Sequence, residues 1–202
     1  MKKLAILISH AGTGSNLKAI IDGIENKKIA AEIAVVVSDN PDAPGLTYAK
    51  QKHTPAHIFN AKKETLEELA TRQFPVDYLV LAGWKKIITN KTLKAFPDRI
   101  FNIHPGLIPD TLDGIVKNPD NTNALWNRGK FMTAAMQNFL DTKATYAGST
   151  VHFLSDQFDF GKVLARCFEE IKADDTVESL YSRLKKKENS IYITALQTVL
   201  SS

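Results

Sequence analysis

Arg99-Ile100-Phe101-Asn102-Ile103-His104-Pro105-Gly106-Leu107-Ile108-Pro109 is the stretch whose reading decides the fold. Apolar residues open it, and Pro105 cannot donate to a sheet ladder, so a strand is expected to stop at His104 and open into a loop. Asn102 and His104, two residues apart, then share one face of that strand. An amide and an imidazole at a strand's carboxyl end stand where open α/β sheets bind ligands. The same residues also suit a plainer role, with Asn102 tying down the turn and His104 an ordinary half-buried histidine.

Working outward, the chain repeats the same grammar. Leu4-Ala5-Ile6-Leu7-Ile8, Ile33-Ala34-Val35-Val36-Val37 and Val76-Asp77-Tyr78-Leu79-Val80-Leu81-Ala82-Gly83 are apolar runs of the kind buried on both faces of a parallel sheet. Between them the pattern predicts a helix carrying Leu17, Ile20, Ile21 and Ile24, another over about Pro44 to Lys52, a short strand at Ala56 to Phe59, and a helix over Lys62 to Gln73. A helix from Asn90 to Ala95 precedes the opening stretch. After it, Asp110 to Asn123 is a loop rich in Asp, Asn, Gly and Pro, of a length that is either functional or disordered. Trp126-Asn127-Arg128-Gly129-Lys130 leads into a helix through Leu140, with Arg128 and Lys130 read either as anion ligands or as a solvated surface pair. Tyr146 to Leu154 and Lys162 to Ile171 form a hairpin with Asp159 at its turn, and from Asp174 a start signal, Asp174-Asp175-Thr176, leads to a long amphipathic helix whose apolar residues run from Val177 to Leu200. Alternating strands and helices give an α/β class with an open, mostly parallel twisted sheet and helices on both faces.

Two strand ends carry possible binding features. Ser9-His10-Ala11-Gly12-Thr13-Gly14-Ser15-Asn16 joins the first strand to its helix, and its glycines and free N–H groups fit either a phosphate-holding turn or a tight turn with nothing bound. Gly12-Thr13-Gly14 with Asp39 partly matches a dinucleotide fingerprint, but Leu17 occupies the third glycine position, which disfavours a nicotinamide cofactor. Gly83-Trp84-Lys85-Lys86-Ile87-Ile88 offers an apolar wall suited to a flat ring, or simply core packing.

The chain has 202 residues, a length that suits one domain, 1–202, with halves of about 1–100 and 101–202. Its 26 basic and 22 acidic residues give a net charge of +4, enough to favour anionic small ligands but not a nucleic-acid signature. The single cysteine, Cys167, excludes an internal disulfide and a multi-cysteine metal site and suits a reducing cytoplasm, where it reads as a buried inert thiol. Met1-Lys2-Lys3 begins like a signal peptide, but the following apolar run is short, and no segment is long enough to span a bilayer.

The assembled pattern resembles the folate-dependent formyltransferases, through Gly14-Ser15-Asn16-Leu17, Leu81-Ala82-Gly83-Trp84, Asn102-Ile103-His104-Pro105-Gly106-Leu107-Ile108-Pro109, and Gly148-Ser149-Thr150-Val151-His152 followed by Asp159. The Asn-x-His-Pro segment with a downstream aspartate carries the formyltransferase likeness, and Gly-Ser-Asn-Leu points to the branch acting on glycinamide ribonucleotide. The resemblance implies a Rossmann-like formyltransferase fold with a C-terminal hairpin and long helix. It implies direct transfer of a formyl group from 10-formyltetrahydrofolate to a primary amine in purine biosynthesis, with no metal. By the same likeness Asn102, His104 and Asp159 are catalytic, and Gly14, Ser15, Asn16 and His152 bind the acceptor substrate. The folate is met by Lys63, Trp84, Lys85, Lys86, Ile87, Ile88, Asp156 and Phe158. The partners implied are small molecules only, glycinamide ribonucleotide and folate, without nucleic acid or membrane, in a cytoplasmic monomer or homodimer.

Four departures from the family pattern stand out. The turn at Ala11 to Thr13 is lengthened, Lys85-Lys86 replaces an apolar-arginine pair, Phe160 stands where glycine is common, and Asp110 to Ala144 is longer than in familiar members. Alternatives are a formyltransferase for another amine such as an amino sugar nucleotide, a hydrolase passing the formyl group to water, and a non-catalytic nucleotide-binding module. A hydrolase usually carries a regulatory domain ahead of the catalytic one, and the first strand beginning at Leu4 is expected to leave no room for it.

Overall fold

The apolar run at the amino terminus forms strand β1 (Lys2–Ile8), whose residues Leu4 to Leu7 are fully buried, as a strand covered on both faces requires. Helix α1 (Ser15–Glu25) follows, then β2 (Ala31–Ser38), α2 (Pro44–Gln51) and β3 (Ala56–Ile58). Next come a single helical turn, α3 (Leu66–Glu68), β4 (Tyr78–Leu81), α4 (Asn90–Ala95) and β5 (Ile100–His104). The chain continues through α5 (Met132–Asp141), β6 (Tyr146–Phe153), β7 (Val163–Glu170) and α6 (Val177–Leu200). This computed structural model describes residues 1–10 and 14–201. The lengthened turn at Ala11 to Thr13, and with it the first two residues of Gly12-Thr13-Gly14, lies outside the described residues.

Among the described residues seven strands form one sheet in the order β3-β2-β1-β4-β5-β6-β7. β1 pairs in parallel with β2 and β4, β2 with β3 and β4 with β5, whereas β6 and β7 pair antiparallel. This is the mostly parallel α/β sheet with a terminal hairpin and a long C-terminal helix that the sequence pattern predicts.

The chain divides into two compact units, residues 1–102 with 196–202, and residues 103–195. In the first, strand order reverses between β1 and β4, the switch point beside which α/β sheets open a ligand crevice at their carboxyl ends. The Ser9 hydroxyl after β1 accepts the Lys85 N–H after β4 at 3.0 Å, tying the two strand-end turns together. In the second unit, Leu107, Ala135, Met136, Phe139, Ala147, Leu180 and Leu184 form a buried apolar cluster with Cys167, whose thiol burial pushes up to about 12. A thiol so suppressed is inert, as its apolar surroundings suggest.

One helix start differs from the sequence pattern and another follows it. The helix expected over Lys62 to Gln73 begins only at Leu66, because Asn60 turns the chain first. Its carbonyl accepts the Lys63 and Glu64 N–H groups and its side chain accepts that of Lys62. Thr65 then caps α3 by accepting the Glu68 N–H while its hydroxyl reaches the Glu68 carboxylate. The turn widens at once into π-helical Leu69–Gln73. In α6, Asp174 to Thr176 are the start signal that the sequence pattern reads there, with Thr176 Oγ1 accepting the Ser179 N–H at 3.2 Å ahead of Val177.

Candidate active site

The site in the second unit starts from a carbonyl that reaches a buried imidazole. His104, the last residue of β5, is 3% exposed, and its Nε2 lies 2.7 Å from the Trp126 carbonyl oxygen. A carbonyl only accepts, so Nε2 carries the proton and, in the neutral ring, Nδ1 is bare. Nδ1 stands 3.7 Å from Asp159 Oδ2. Gly106 makes the close approach possible, since a Cβ there would lie 1.8 Å from the Trp126 oxygen and 3.0 Å from His104 Nε2. Burial pulls the His104 pKa below its ordinary value, opposed by the Asp159 charge and by the Trp126 carbonyl. The resting ring is therefore held neutral, with a carboxylate waiting beside its basic nitrogen.

Asp159 sits in the β6–β7 turn with φ of +49°, a left-handed conformation that few non-glycine residues adopt. Its Oδ2 accepts the Gly129 N–H at 2.7 Å, and its carbonyl accepts Trp126 Nε1–H at 3.0 Å. Arg128 Nε donates to the Phe158 carbonyl at 2.9 Å, and its guanidinium lies 5.0 Å from the centre of the Trp126 ring. Phe160 packs its ring 5.8 Å from that of Trp126. The Trp126-to-Lys130 segment therefore holds both members of the pair. Sequence reading left Trp126 and Gly129 without a role and took Arg128 as an anion ligand or a surface charge. Nothing local marks a backbone carbonyl as the partner of a histidine 22 positions earlier. The one available signal was the joint departure of Phe160 and the long segment from the family pattern.

His152 on β6 is fully buried, and its Nδ1 donates to the Phe153 carbonyl at 3.0 Å. Burial, with His104 adding to it, pushes its pKa down to about 3. It is a neutral neighbour of His104. One residue before Val151, the Thr150 hydroxyl donates to the Gly106 carbonyl at 2.7 Å and accepts the Ile108 N–H at 3.0 Å, fixing the loop after His104. Arg166 on β7 fixes its far end, with Nη2 2.6 Å from the Ile108 carbonyl and 2.8 Å from Asp110 Oδ1. Asp156 and Phe158 flank Asp159 in the exposed turn, with Phe158 64% exposed.

Asn102 is half-buried on β5 and, like the remaining predicted residues, belongs to the first unit. Gly14 caps α1 with φ of +73° and without a side-chain cap, and the first turn of the helix contains no acidic residue. Asn16 is buried there with its Oδ1 unpartnered. Gly83, at φ of +97°, would have nothing within 4 Å of an added Cβ. Of the predicted ring wall, Trp84 is buried edge-on against Phe59, whereas Ile87 is 85% exposed. Lys86 Nζ is 3.8 Å from Asp39 Oδ2, and Lys63 lies exposed in the turn before α3. Among the described residues no group of three His, Cys, Asp or Glu could hold a metal ion, and no helix is long and apolar enough to cross a membrane.

Comparison with known proteins adds names to this geometry. The family model described as "Formyl transferase" matches residues 2–196. A phosphoribosylglycinamide formyltransferase of Haemophilus influenzae is 32% identical over 95% of this chain and 84% of its own length. A chloroplastic phosphoribosylglycinamide formyltransferase of Arabidopsis thaliana is 30% identical over 98% of this chain, which spans 65% of it, a little under two thirds. Among solved structures, glycinamide ribonucleotide transformylase 1 from Symbiobacterium toebii superposes with a TM-score of 0.80 at 31% identity, covering 100% of this chain and 88% of that one.

Proposed function

Since the chain belongs to the formyl transferase family, we propose that it transfers a formyl group from 10-formyltetrahydrofolate to the primary amine of glycinamide ribonucleotide. The observation that carries this reading is the neutral, buried His104 whose bare Nδ1 faces the Asp159 carboxylate at 3.7 Å. Attack of a neutral amine on a formyl carbon builds negative charge on the formyl oxygen and positive charge on the nitrogen. The donor folate supplies an activated formyl group when bound. Asn102 donates its amide N–H to the developing oxyanion, the kind of contact whose loss costs a factor of about 10² or more. His104 Nδ1 takes the amine proton as the new C–N bond forms, the imidazolium donates to the oxygen while Asp159 stabilises its charge, and collapse of the tetrahedral adduct breaks the bond to the folate nitrogen, which leaves with that proton. The 3.7 Å separation is loose for a direct hydrogen bond and suits tightening or a bridging water when substrate arrives.

Gly14, Ser15 and Asn16 hold the acceptor's phosphate on the uncapped first turn of α1, where the N–H groups and the helix dipole favour an anion. The folate's flat ring takes the open surface at Gly83 to Ile88, where an unobstructed glycine and the exposed Ile87 suit a stacked ring. Lys63 serves the folate's glutamate tail. The reading extends to a cytoplasmic enzyme, monomer or homodimer, that acts on small molecules alone.

A spectroscopic assay of formyl transfer tests it, run with 10-formyltetrahydrofolate and with glycinamide ribonucleotide, other amines or water alone. Loss of formyl-folate that depends on glycinamide ribonucleotide supports both reaction and acceptor. Turnover only with another amine moves the assignment to that acceptor, and turnover with water alone replaces transfer by hydrolysis. Folate binding without any turnover would leave a binding module.

A further inference from the structure

We propose that Trp126 and Arg128 are positioning residues that hold the Asp159 carboxylate at His104 Nδ1. This rests on the formyl-transfer reading for its kinetic consequence, though not for its geometry. Asp159 occupies a left-handed backbone conformation, so its turn has an intrinsic tendency to relax elsewhere, and something must hold it. Within the turn Ser155 bonds Gln157 and Phe160, and the groups that reach Phe158 and Asp159 themselves come from one short strap. Trp126 grips the turn through Nε1–H on the Asp159 carbonyl, and Arg128 through Nε on the Phe158 carbonyl. Next to Arg128 in the chain, Gly129 N–H aims the carboxylate itself. The Arg128 guanidinium against the indole face couples the two grips.

The strap is anchored at its other side. Asn127, itself left-handed at φ of +57°, donates to the Pro105 carbonyl at 3.1 Å and accepts the Asn138 amide at 2.7 Å. Pro105 directly follows His104, so the strap is fixed to the histidine's own loop at one end and grips the aspartate's turn at the other. Arg128 is thereby placed in the site's framework, not among anion ligands. The groups facing His104 are the Asp159 carboxylate from the β6–β7 turn, His152 from β6 and the Trp126 carbonyl from the strap. Only the first is charged at neutral pH, and its charge raises the His104 pKa against the effect of burial. A displaced Asp159 therefore reports itself in the histidine's titration.

The experiment follows His104 by NMR of histidine labelled with nitrogen-15, across pH, in wild type, Arg128→Met, Trp126→Phe, Asp159→Asn and the doubles with Asp159→Asn. Arg128→Met keeps the aliphatic stem, and Trp126→Phe keeps both an aromatic ring and the carbonyl that holds Nε2. Each single variant is expected to lower the His104 pKa in the direction that Asp159→Asn does, and neither is expected to add to the shift once Asp159 is gone. In the assay kcat should fall about 10- to 100-fold with KM for both substrates little changed. Arg128→Lys, which can still donate to the Phe158 carbonyl, should recover part of both readouts. His104 titrating as in wild type in Arg128→Met and Trp126→Phe would overturn the proposal even if both melt earlier, since that is a purely structural role. An unshifted titration in Asp159→Asn would overturn it as well. Where one variant fails to fold, the other decides. A wild type without formyl transfer defeats the proposed function, whereas the titrations still judge the strap.

Discussion

His104 and Asp159 are 55 residues apart in the chain, yet the imidazole Nδ1 and the carboxylate Oδ2 stand 3.7 Å from each other at the edge of a buried strand end. The pair is set from opposite sides. The Trp126 carbonyl accepts a hydrogen bond from Nε2–H, which leaves Nδ1 basic, and the carboxylate then favours whatever positive charge Nδ1 acquires. Asp159→Asn keeps the shape and removes that charge. The expected result is a loss of about 10² to 10⁴ in kcat with a smaller change in KM. Steady-state kinetics with the purified, folded variant checks it, and wild-type turnover would take Asp159 out of the mechanism.

Gly106→Ala tests the other side of the pair. The new Cβ has to displace the Trp126 carbonyl, a backbone group that cannot swing aside as a side chain would. The expected cost is roughly 1–3 kcal/mol of stability, read as a fall of several degrees in Tm. Activity should drop further than the remaining folded fraction explains, because Nε2 loses its acceptor. Equal losses of folded protein and of activity would show that the carbonyl contact has no share in the chemistry.

How much of this was legible beforehand depends on the range of the interaction. The strands β1, β2 and β4 announce themselves because each carries a contiguous apolar run, and β5 because Ile100-Phe101 opens it and Pro105 ends it at His104. Asp159 was legible as a turn residue, and its pairing with His104 only through the family likeness. The strap at Trp126 was not, because each of its contacts to His104 and to the Asp159 turn has a main-chain group on one side, and main-chain groups leave no residue-type signature. The helix expected over Lys62 to Gln73 failed for a local reason, since Asn60 and Thr65 both offer side-chain oxygens that compete with helical hydrogen bonds.

Ser15→Asp separates the two substrates. A carboxylate in the first turn of α1 is favourable to the helix itself, so the fold should be unharmed. The same charge repels a phosphate seeking those N–H groups. At an effective dielectric of about 20, two like charges some 4 Å apart cost about 4 kcal/mol, so even a partly screened repulsion raises KM for glycinamide ribonucleotide at least about tenfold. KM for the folate should move far less. A parallel rise in both constants would place the phosphate elsewhere.

His152 predicts how stability depends on pH. Its pKa is about 3 in the folded chain against 6.5 for an ordinary histidine, so between those values the unfolded chain binds a proton that the folded chain refuses. The contribution is therefore complete above pH 6.5 and is lost progressively as pH falls toward 3. With each pKa unit worth about 1.4 kcal/mol, the loss amounts to roughly 3–5 kcal/mol at the acid end. Glu188, whose carboxyl burial raises, carries the opposite sign, since its folded form holds a proton that the unfolded chain gives up. The two effects are separated by comparing wild type with His152→Gln at each pH rather than by the wild-type curve alone. Chemical denaturation at pH 7 and pH 4 should show a midpoint that falls steeply on acidification in wild type and less steeply in His152→Gln. Identical slopes in the two proteins would mean that His152 takes up its proton without resistance and that its burial does not govern acid stability.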